Sequence, residues 1–221
     1  VFLYVPGGIS DGQYGTEIDV KKILSHIKPY SIKYIRIDSN YKIDNNFNYN
    51  QRYLRRPIYR LNSSVSMNHN LVNENELFLR ASSKWKYNIR KSLSYNIRSE
   101  ISDNISLIDV VNLTHQMNKL KKLNRTDDPN DFEKLFKNFN YETVVCKCYD
   151  ENNTMIGFRS ALVINDTAWD YYAATNLSGR KLRVGYLSLH NIMKYCKDCG
   201  IKFYNLGGID EKRNLGVAKF K

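Results

Sequence analysis

The residues of this chain best suited to chemistry lie near its end, in Lys202-Phe-Tyr-Asn-Leu-Gly-Gly-Ile-Asp210 and the cationic stretch Gly216-Val-Ala-Lys-Phe-Lys221. Gly207 and Gly208 lack a Cβ, so they admit dihedrals closed to other residues and let a ligand approach the backbone closely. Beside them, Tyr204 and Asp210 are the side chains whose location suits proton transfer. Asp210, Glu211, Lys212 and Arg213 form a dense charged loop. The commoner explanation of a glycine pair is a turn, so its context decides what the pair does.

Two further groups could hold an anion. Ser178-Gly-Arg-Lys-Leu-Arg-Val-Gly185 reads as a loop ahead of a helix. Its Arg180, Lys181, Arg183 and Gly185 would bring positive charge to a helix N-terminus, where backbone amides and the helix dipole already favour negative charge. Lys86 and Arg90 are one helical turn apart and share a face. Most charged helix faces are only solvated; the functional alternative is a helix that faces a phosphorylated acceptor. His26, His69, His115 and His190 stand apart from any serine or cysteine pattern and read as surface or packing residues.

Several elements must carry these groups. Lys202 to Leu206 reads as a short strand, with Phe203, Tyr204 and Leu206 on a half-buried surface, ended by the glycines. Gly185 to Cys199 places Leu189, Ile192, Met193 and Cys196 at helical spacing, and Gly200 sits where a left-handed cap belongs. Thr143 to Tyr149, Met155 to Ile164 and Thr167 to Thr175 form a meander rich in Val, Ile, Thr and aromatics. Glu76 to Ser94 carries Ala81, Trp85, Ile89 and Leu93 at intervals of four and reads as a cationic helix with one packing face. Asn96 to Ile101 predicts a strand. Leu107, Val110, Val111, Thr114 and Met117 mark a helix, and Phe132, Leu135 and Phe136 another. Earlier come strands at Phe2 to Val5, Ile32 to Ile37 and Ile58 to Val65, a helix at Val20 to Ile27, and a polar connector from Asp38 to Arg56. From Tyr95 the order is β-α-α-β-β-β-α-β, an α/β chain with a mixed sheet.

With 221 residues, the chain can bury a substantial core. Its 34 Lys and Arg outnumber 22 Asp and Glu, for a formal charge of +12. Such a field attracts polyanions such as tRNA, nucleotide-linked sugars, coenzyme A phosphates or an anionic membrane surface. Charge alone does not choose among them, and a generally Lys- and Asn-rich composition would also produce it. No run approaches the roughly 18 to 20 apolar residues that span a bilayer, and the reading is a soluble, cytoplasmic protein. Cys146-x-Cys148 and Cys196-x-x-Cys199 could bring four thiolates around zinc, but neither pair sits on a tight knuckle. The preferred reading is no metal, with reduced thiols used as small core residues.

Three stretches resemble the FemABX family of peptidoglycan-bridge aminoacyltransferases and their relatives with GNAT-like acyltransferase domains. Asn205-Leu-Gly-Gly-Ile209 with Gly216-Val-Ala-Lys-Phe-Lys221 is similar to the family's closing pattern, although Asn205 stands where Asp is frequent. Lys84-Trp-Lys-Tyr-Asn-Ile-Arg-Lys91 resembles the helix that opens the second domain, and Leu3-Tyr-Val-Pro-Gly-Gly8 with Ile35-Arg-Ile-Asp38 resembles stretches of the first. Their order along the chain carries the specificity.

The resemblance implies a partial first lobe over residues 1–65 and a nearly complete GNAT-like domain over 66–221, in an incomplete or shortened polypeptide. It implies an N-acyltransferase acting on an amine of an anionic cell-envelope precursor or sugar nucleotide, with acetyl-CoA or aminoacyl-tRNA as donor. The donor carbonyl would lie where Asp170 to Thr175 and Phe203 to Leu206 splay apart, in a channel lined by Tyr171, Tyr172 and Gly207. Arg180, Lys181 and Arg183 would meet coenzyme A phosphates or the tRNA acceptor end, and Lys221 would neutralise developing charge. A different class of protein, a catalytically silent nucleic-acid or anion-binding module on the same fold, would be marked by exposed aromatics among the basic residues.

Overall fold

A computed structural model describes residues 2–7, 34–39, 65–71, 78–123, 130, 133, 142–209 and 215–220. The backbone divides into two units, Val1–Asn62 and Ser63–Lys221. In the first, β1 (Phe2–Gly7) and β2 (Tyr34–Ser39) pair in parallel, with Phe2 opposite Tyr34 and Gly7 opposite Ser39. The predicted helix at residues 20–27 and the connector beyond residue 39 lie outside the described residues.

The second unit holds a six-stranded mixed sheet in the order β3-β8-β7-β6-β5-β4. These strands are β3 (Val65–Asn70), β4 (Arg98–Ser102), β5 (Glu142–Tyr149), β6 (Met155–Ile164), β7 (Thr167–Thr175) and β8 (Phe203–Ile209). Within the antiparallel run β4 to β7, short turns join β5 to β6 and β6 to β7, whereas β4 reaches β5 by way of a helix. Asp150 Oδ1 accepts from the amides of Asn152 and Thr154, and Asn165 takes a φ of 55° between β6 and β7, a conformation asparagine tolerates well. A parallel partner needs a crossover, and β8 joins β7 in parallel after two helices.

Those helices are α3 (Leu177–Lys181) and α4 (Val184–Asp198); before them come α1 (Ser83–Leu93) and α2 (Leu107–Lys121), and α5 (Leu215–Phe220) closes the unit. Ser82 and Ser106 cap α1 and α2 through their hydroxyl oxygens. Helix α4 ends in a Schellman motif. Gly200 (φ 82°) donates to Lys197 O and Ile201 to Cys196 O, as the cap glycine predicts.

Two cores face opposite sides of the sheet. Val144, Cys146, Cys148, Ile156 and Tyr204 pack with Val184, Leu189, Ile192 and Cys196 of α4. Val145, Phe158 and Ala174 pack with Val110 and Leu113 of α2. The alternation along β5 therefore feeds both faces, which makes a three-layer α/β/α arrangement.

Three sequence expectations shift. β8 runs through both glycines to Ile209 because β3 pairs with it there, Val65 opposite Ile209 and Ser66 opposite Gly208. The strand expected at Ile58 to Val65 lies, apart from Val65, outside the described residues, and a strand runs over Val65–Asn70. The helix expected from Glu76 begins at Ser83, after helical residues 78–80 and a break at Ala81 and Ser82. The supposed loop 178–185 is helical at both ends, in α3 up to Lys181 and in α4 from Val184, and Asn176 closes the first turn of α3 by accepting from Gly179 N. Phe132, Leu135 and Phe136 lie outside the described residues.

Candidate functional site: a strand fork

β7 and β8 pair only through Thr167–Phe203, Ala168–Tyr204 and Trp169–Asn205. Both strands then continue, to Thr175 and Ile209, without further pairing between them. Each arm is displaced by a ladder irregularity. Ser160 of β6 opposes Tyr172 while Ala161 opposes Asp170, which leaves Tyr171 as an extra residue on β7. Ser66 opposes Gly208 while Asn68 opposes Asn205, so Leu206 and Gly207 together face Met67. Bulges bend a strand and re-aim it. Gly207 adopts a φ of 72°, and its N–H donates to Asn205 Oδ1 at 2.7 Å. That is the conformation glycine alone enters freely. Asn205 is thus buried and engaged with its own strand.

A buried polar network sits at the apex. Arg159 Nη1 donates to both oxygens of Asp170, at 2.6 and 2.7 Å, and Tyr204 Oη donates to Asp170 Oδ1 at 3.0 Å. Arg159 and Asp170 side chains are only 8% and 16% exposed, and Tyr204 is fully buried. Burial works against the Arg159 charge, but the Asp170 carboxylate outweighs it, by its charge and its hydrogen bonds, and holds the guanidinium protonated. Burial first, and then the Asp170 charge, push the Tyr204 phenol well above its usual 10. Tyr204 is therefore held as a neutral donor to Asp170. Arg159 and Asp170 escaped sequence reasoning; one signal was a charge of each sign at an inward position of two adjacent apolar strands.

Next to this network, Phe220 of α5 lies with its ring 5.4 Å from the Arg159 guanidinium and 4.9 Å from the Tyr186 ring. Trp85 Nε1 donates to Phe220 O at 2.8 Å, and the Trp85 ring meets Tyr186 edge-on at 5.5 Å. The closing Phe is thereby joined to α1 and to the first turn of α4.

The anion-binding candidates separate. Arg180 and Lys181 are exposed on α3. Arg183, the residue before α4, has a left-handed φ of 62°, donates from Nη1 to Asn88 Oδ1 at 2.6 Å, and rests on the Tyr87 ring. Gly185 has room around it, since an added Cβ would meet only the Phe220 ring at 3.9 Å. The glycines that are sterically required are others. A Cβ on Gly179 would lie 2.2 Å from Ile156 O, and one on Gly157 within 2.7 Å of Val184 Cγ1 and 2.8 Å of Thr175 Cγ2. These contacts press α3 and the start of α4 onto β6, beside the end of the β7 arm.

Lys86 Nζ donates to Leu79 O at 2.8 Å, and Arg90 lies over the Phe78 ring, so both contact the turn ahead of α1. Tyr172 stacks on Phe158 in the α2-side core. Tyr171 is half-buried, its phenol pushed up to about 12 by burial. Asp210 and Lys221 lie outside the described residues. His69 stands opposite Tyr204 on β3, and burial lowers its pKa below 6.5.

Cys146, Cys148 and Cys196 serve in the core, whereas Cys199 is exposed, contrary to the core role expected of it. A cleft between Glu142, Val163, Tyr195, Cys196 and Cys199 lies at the opposite end of the sheet from the fork mouth. It is not the expected channel of Tyr171, Tyr172 and Gly207.

Comparison with solved structures places this arrangement. The chain is similar to FemX with a TM-score of 0.63 and 13% identity, over 70% of this chain and 56% of FemX. L-PGS from Bacillus licheniformis matches with a TM-score of 0.49 and 10% identity, over 70% of this chain and 48% of L-PGS. An acetyltransferase of the GNAT family from Staphylococcus aureus MU50 matches with a TM-score of 0.44 and 16% identity, over 56% of this chain and 79% of the other. The chain shares the fold of FemX over the matched residues. The chain spans a little over half the length of FemX. No protein-family model and no curated protein matches the sequence.

Proposed function

We propose that the protein is an N-acyltransferase that transfers an acyl or aminoacyl group to an amine of an anionic cell-envelope precursor or nucleotide-linked sugar. The observation that carries this reading is the fork: two adjacent parallel strands that stop pairing after Trp169 and Asn205 while both continue. Such an opening presents backbone groups to a bound acyl carbonyl. Amine attack forms a C–N bond through a tetrahedral oxyanion, and donors fixed in advance stabilise that charge. The leaving group is the donor's thiol, for acetyl-CoA, or the ribose hydroxyl, for aminoacyl-tRNA.

In this reading the start of α4, with Arg183 and Gly185, and the neighbouring Arg180 and Lys181 meet donor phosphates. Lys86, Arg90 and Tyr172 serve the acceptor side, Gly207 and Gly208 admit the acyl group, and Asp210 and Lys221 supply proton transfer and charge neutralisation. Residues 1–65 would be a partial first lobe and 66–221 the catalytic one, working in the cytoplasm.

The test is mass spectrometry of reactions that combine the protein with acetyl-CoA or charged tRNA and with envelope precursors or sugar nucleotides. An acylated amine is the expected product. Its absence with every donor and acceptor refutes the proposal. One observation favours a second reading, a silent nucleic-acid-binding module: Tyr87 is 57% exposed and lies beside Arg183 on a basic helix, an arrangement able to stack a base. Binding of uncharged tRNA without any acyl transfer would favour that module.

A further inference from the structure

We infer that Arg159 and Tyr204 are positioning residues of the fork, holding the Asp170 carboxylate across its apex so that the two arms keep the separation an acyl carbonyl requires. This rests on the reading of the fork as the donor site. Asp170 is the first residue of β7 beyond the last paired position, Trp169. Its carboxylate is bound from both sides, by Arg159 of β6 and by Tyr204 of β8. Tyr204 pairs with Ala168, two residues earlier, so its hydroxyl reaches Asp170 diagonally toward the mouth. Long aromatic side chains span such diagonals. Three neighbouring strands are thereby tied at the point where the sheet divides.

Stability does not account for this arrangement. A buried ion pair is often matched or exceeded by apolar residues of the same volume, because desolvating two charges offsets most of their attraction. The geometry also forgoes part of what the pair could offer. A guanidinium binds a carboxylate best through two parallel N–H groups, yet here Nη1 alone reaches both oxygens, while the buried Nε has no hydrogen-bond partner among the described residues. An orientation that leaves a buried donor unpaired is costly, and what it secures is the placement of Asp170. The Phe220 ring beside the guanidinium limits its freedom to turn.

The test compares Tyr204→Phe with the wild-type chain. Phenylalanine keeps the ring that fills the core and removes only the hydroxyl that reaches Asp170. Hydrogen exchange read amide by amide should accelerate at least about 10-fold in residues 170–175 and 206–209, with β5 and α2 unchanged. Unchanged arms, or a uniform acceleration throughout the unit, overturn the inference. In the transfer reaction the variant should lose kcat about 10-fold with donor KM nearly unchanged, because the arms must be set when charge develops. Wild-type kcat in the variant also overturns it. Localised exchange in the arms together with a wild-type chain that transfers nothing would sustain the clamp and refute the acyltransferase reading instead.

Discussion

Gly179→Ala should destabilise the protein sharply while Gly185→Ala should not, although Gly185 is the glycine that the sequence marks for attention. At Gly179 the new methyl would fall 2.2 Å from the Ile156 carbonyl oxygen and 3.1 Å from its carbon, both backbone atoms of a central strand. The Ile156 carbonyl is strand backbone next to the Gly157–Thr175 pair and already accepts from Asn176 N, so α3 must move outward to relieve the contact. That strains the Asn176 bond to Gly179 N and the Asn176 N–H bond to Ile156 O, at 2.9 and 3.2 Å. Overpacking costs about 1 to 3 kcal/mol, and a rigid backbone neighbour puts this site at about 3 kcal/mol. At Gly185 the methyl meets only the Phe220 ring at 3.9 Å, an ordinary contact, and alanine in a helix gains up to about 1 kcal/mol over glycine. The two variants should therefore differ by roughly 4 kcal/mol. For a chain of this size, about 3 kcal/mol lowers Tm by roughly 6 to 12 °C. Urea unfolding followed by circular dichroism reads both. A Gly179→Ala protein with the wild-type midpoint, or a Gly185→Ala protein less stable than it, would refute the steric reasoning.

Trp85→Phe removes the indole donor to Phe220 O but keeps an aromatic ring against Tyr186; with about 1 kcal/mol of hydrogen bonding lost, α5 should detach more often. Tryptic cleavage after the exposed Lys219 should quicken about 5-fold, and an unchanged rate would show that the bond does not hold the helix. The His69 imidazole has its pKa lowered by burial, so the unfolded chain binds its proton more readily than the folded one. Its contribution is complete above about pH 6.5 and is lost as the pH falls through the lower folded value. His69→Gln should therefore flatten the acid side of the Tm profile below pH 6.5, and identical profiles would show that His69 does not titrate on unfolding.

Local signals in the sequence determined most of the second unit. The meander Thr143 to Thr175 appears with almost the expected bounds because alternation, β-branched residues and Asn-Asp turns act over a few residues. The α4 helix and its Gly200 cap were readable for the same reason, since 3.6-residue periodicity and a left-handed cap position both belong to the local chain. The order of the described elements likewise carried the fold shared with FemX.

Tertiary structure alone decided where β8 ends and which residues meet at the fork. Gly207 and Gly208 look like strand terminators until β3, more than 130 residues earlier in the chain, supplies the partner that extends β8 to Ile209. Arg159, Asp170 and Tyr204 lie on three strands and share no sequence spacing that marks them as a group; only the register of β6 against β7, and of β7 against β8, brings the charges within 3 Å. Which glycine must remain a glycine was equally hidden, because the answer depends on how closely α3 approaches Ile156 rather than on the residues beside Gly179. Periodicity and propensity act between chain neighbours and can be read along the sequence, whereas steric exclusion and ion pairing act between surfaces that exist only once the sheet has assembled.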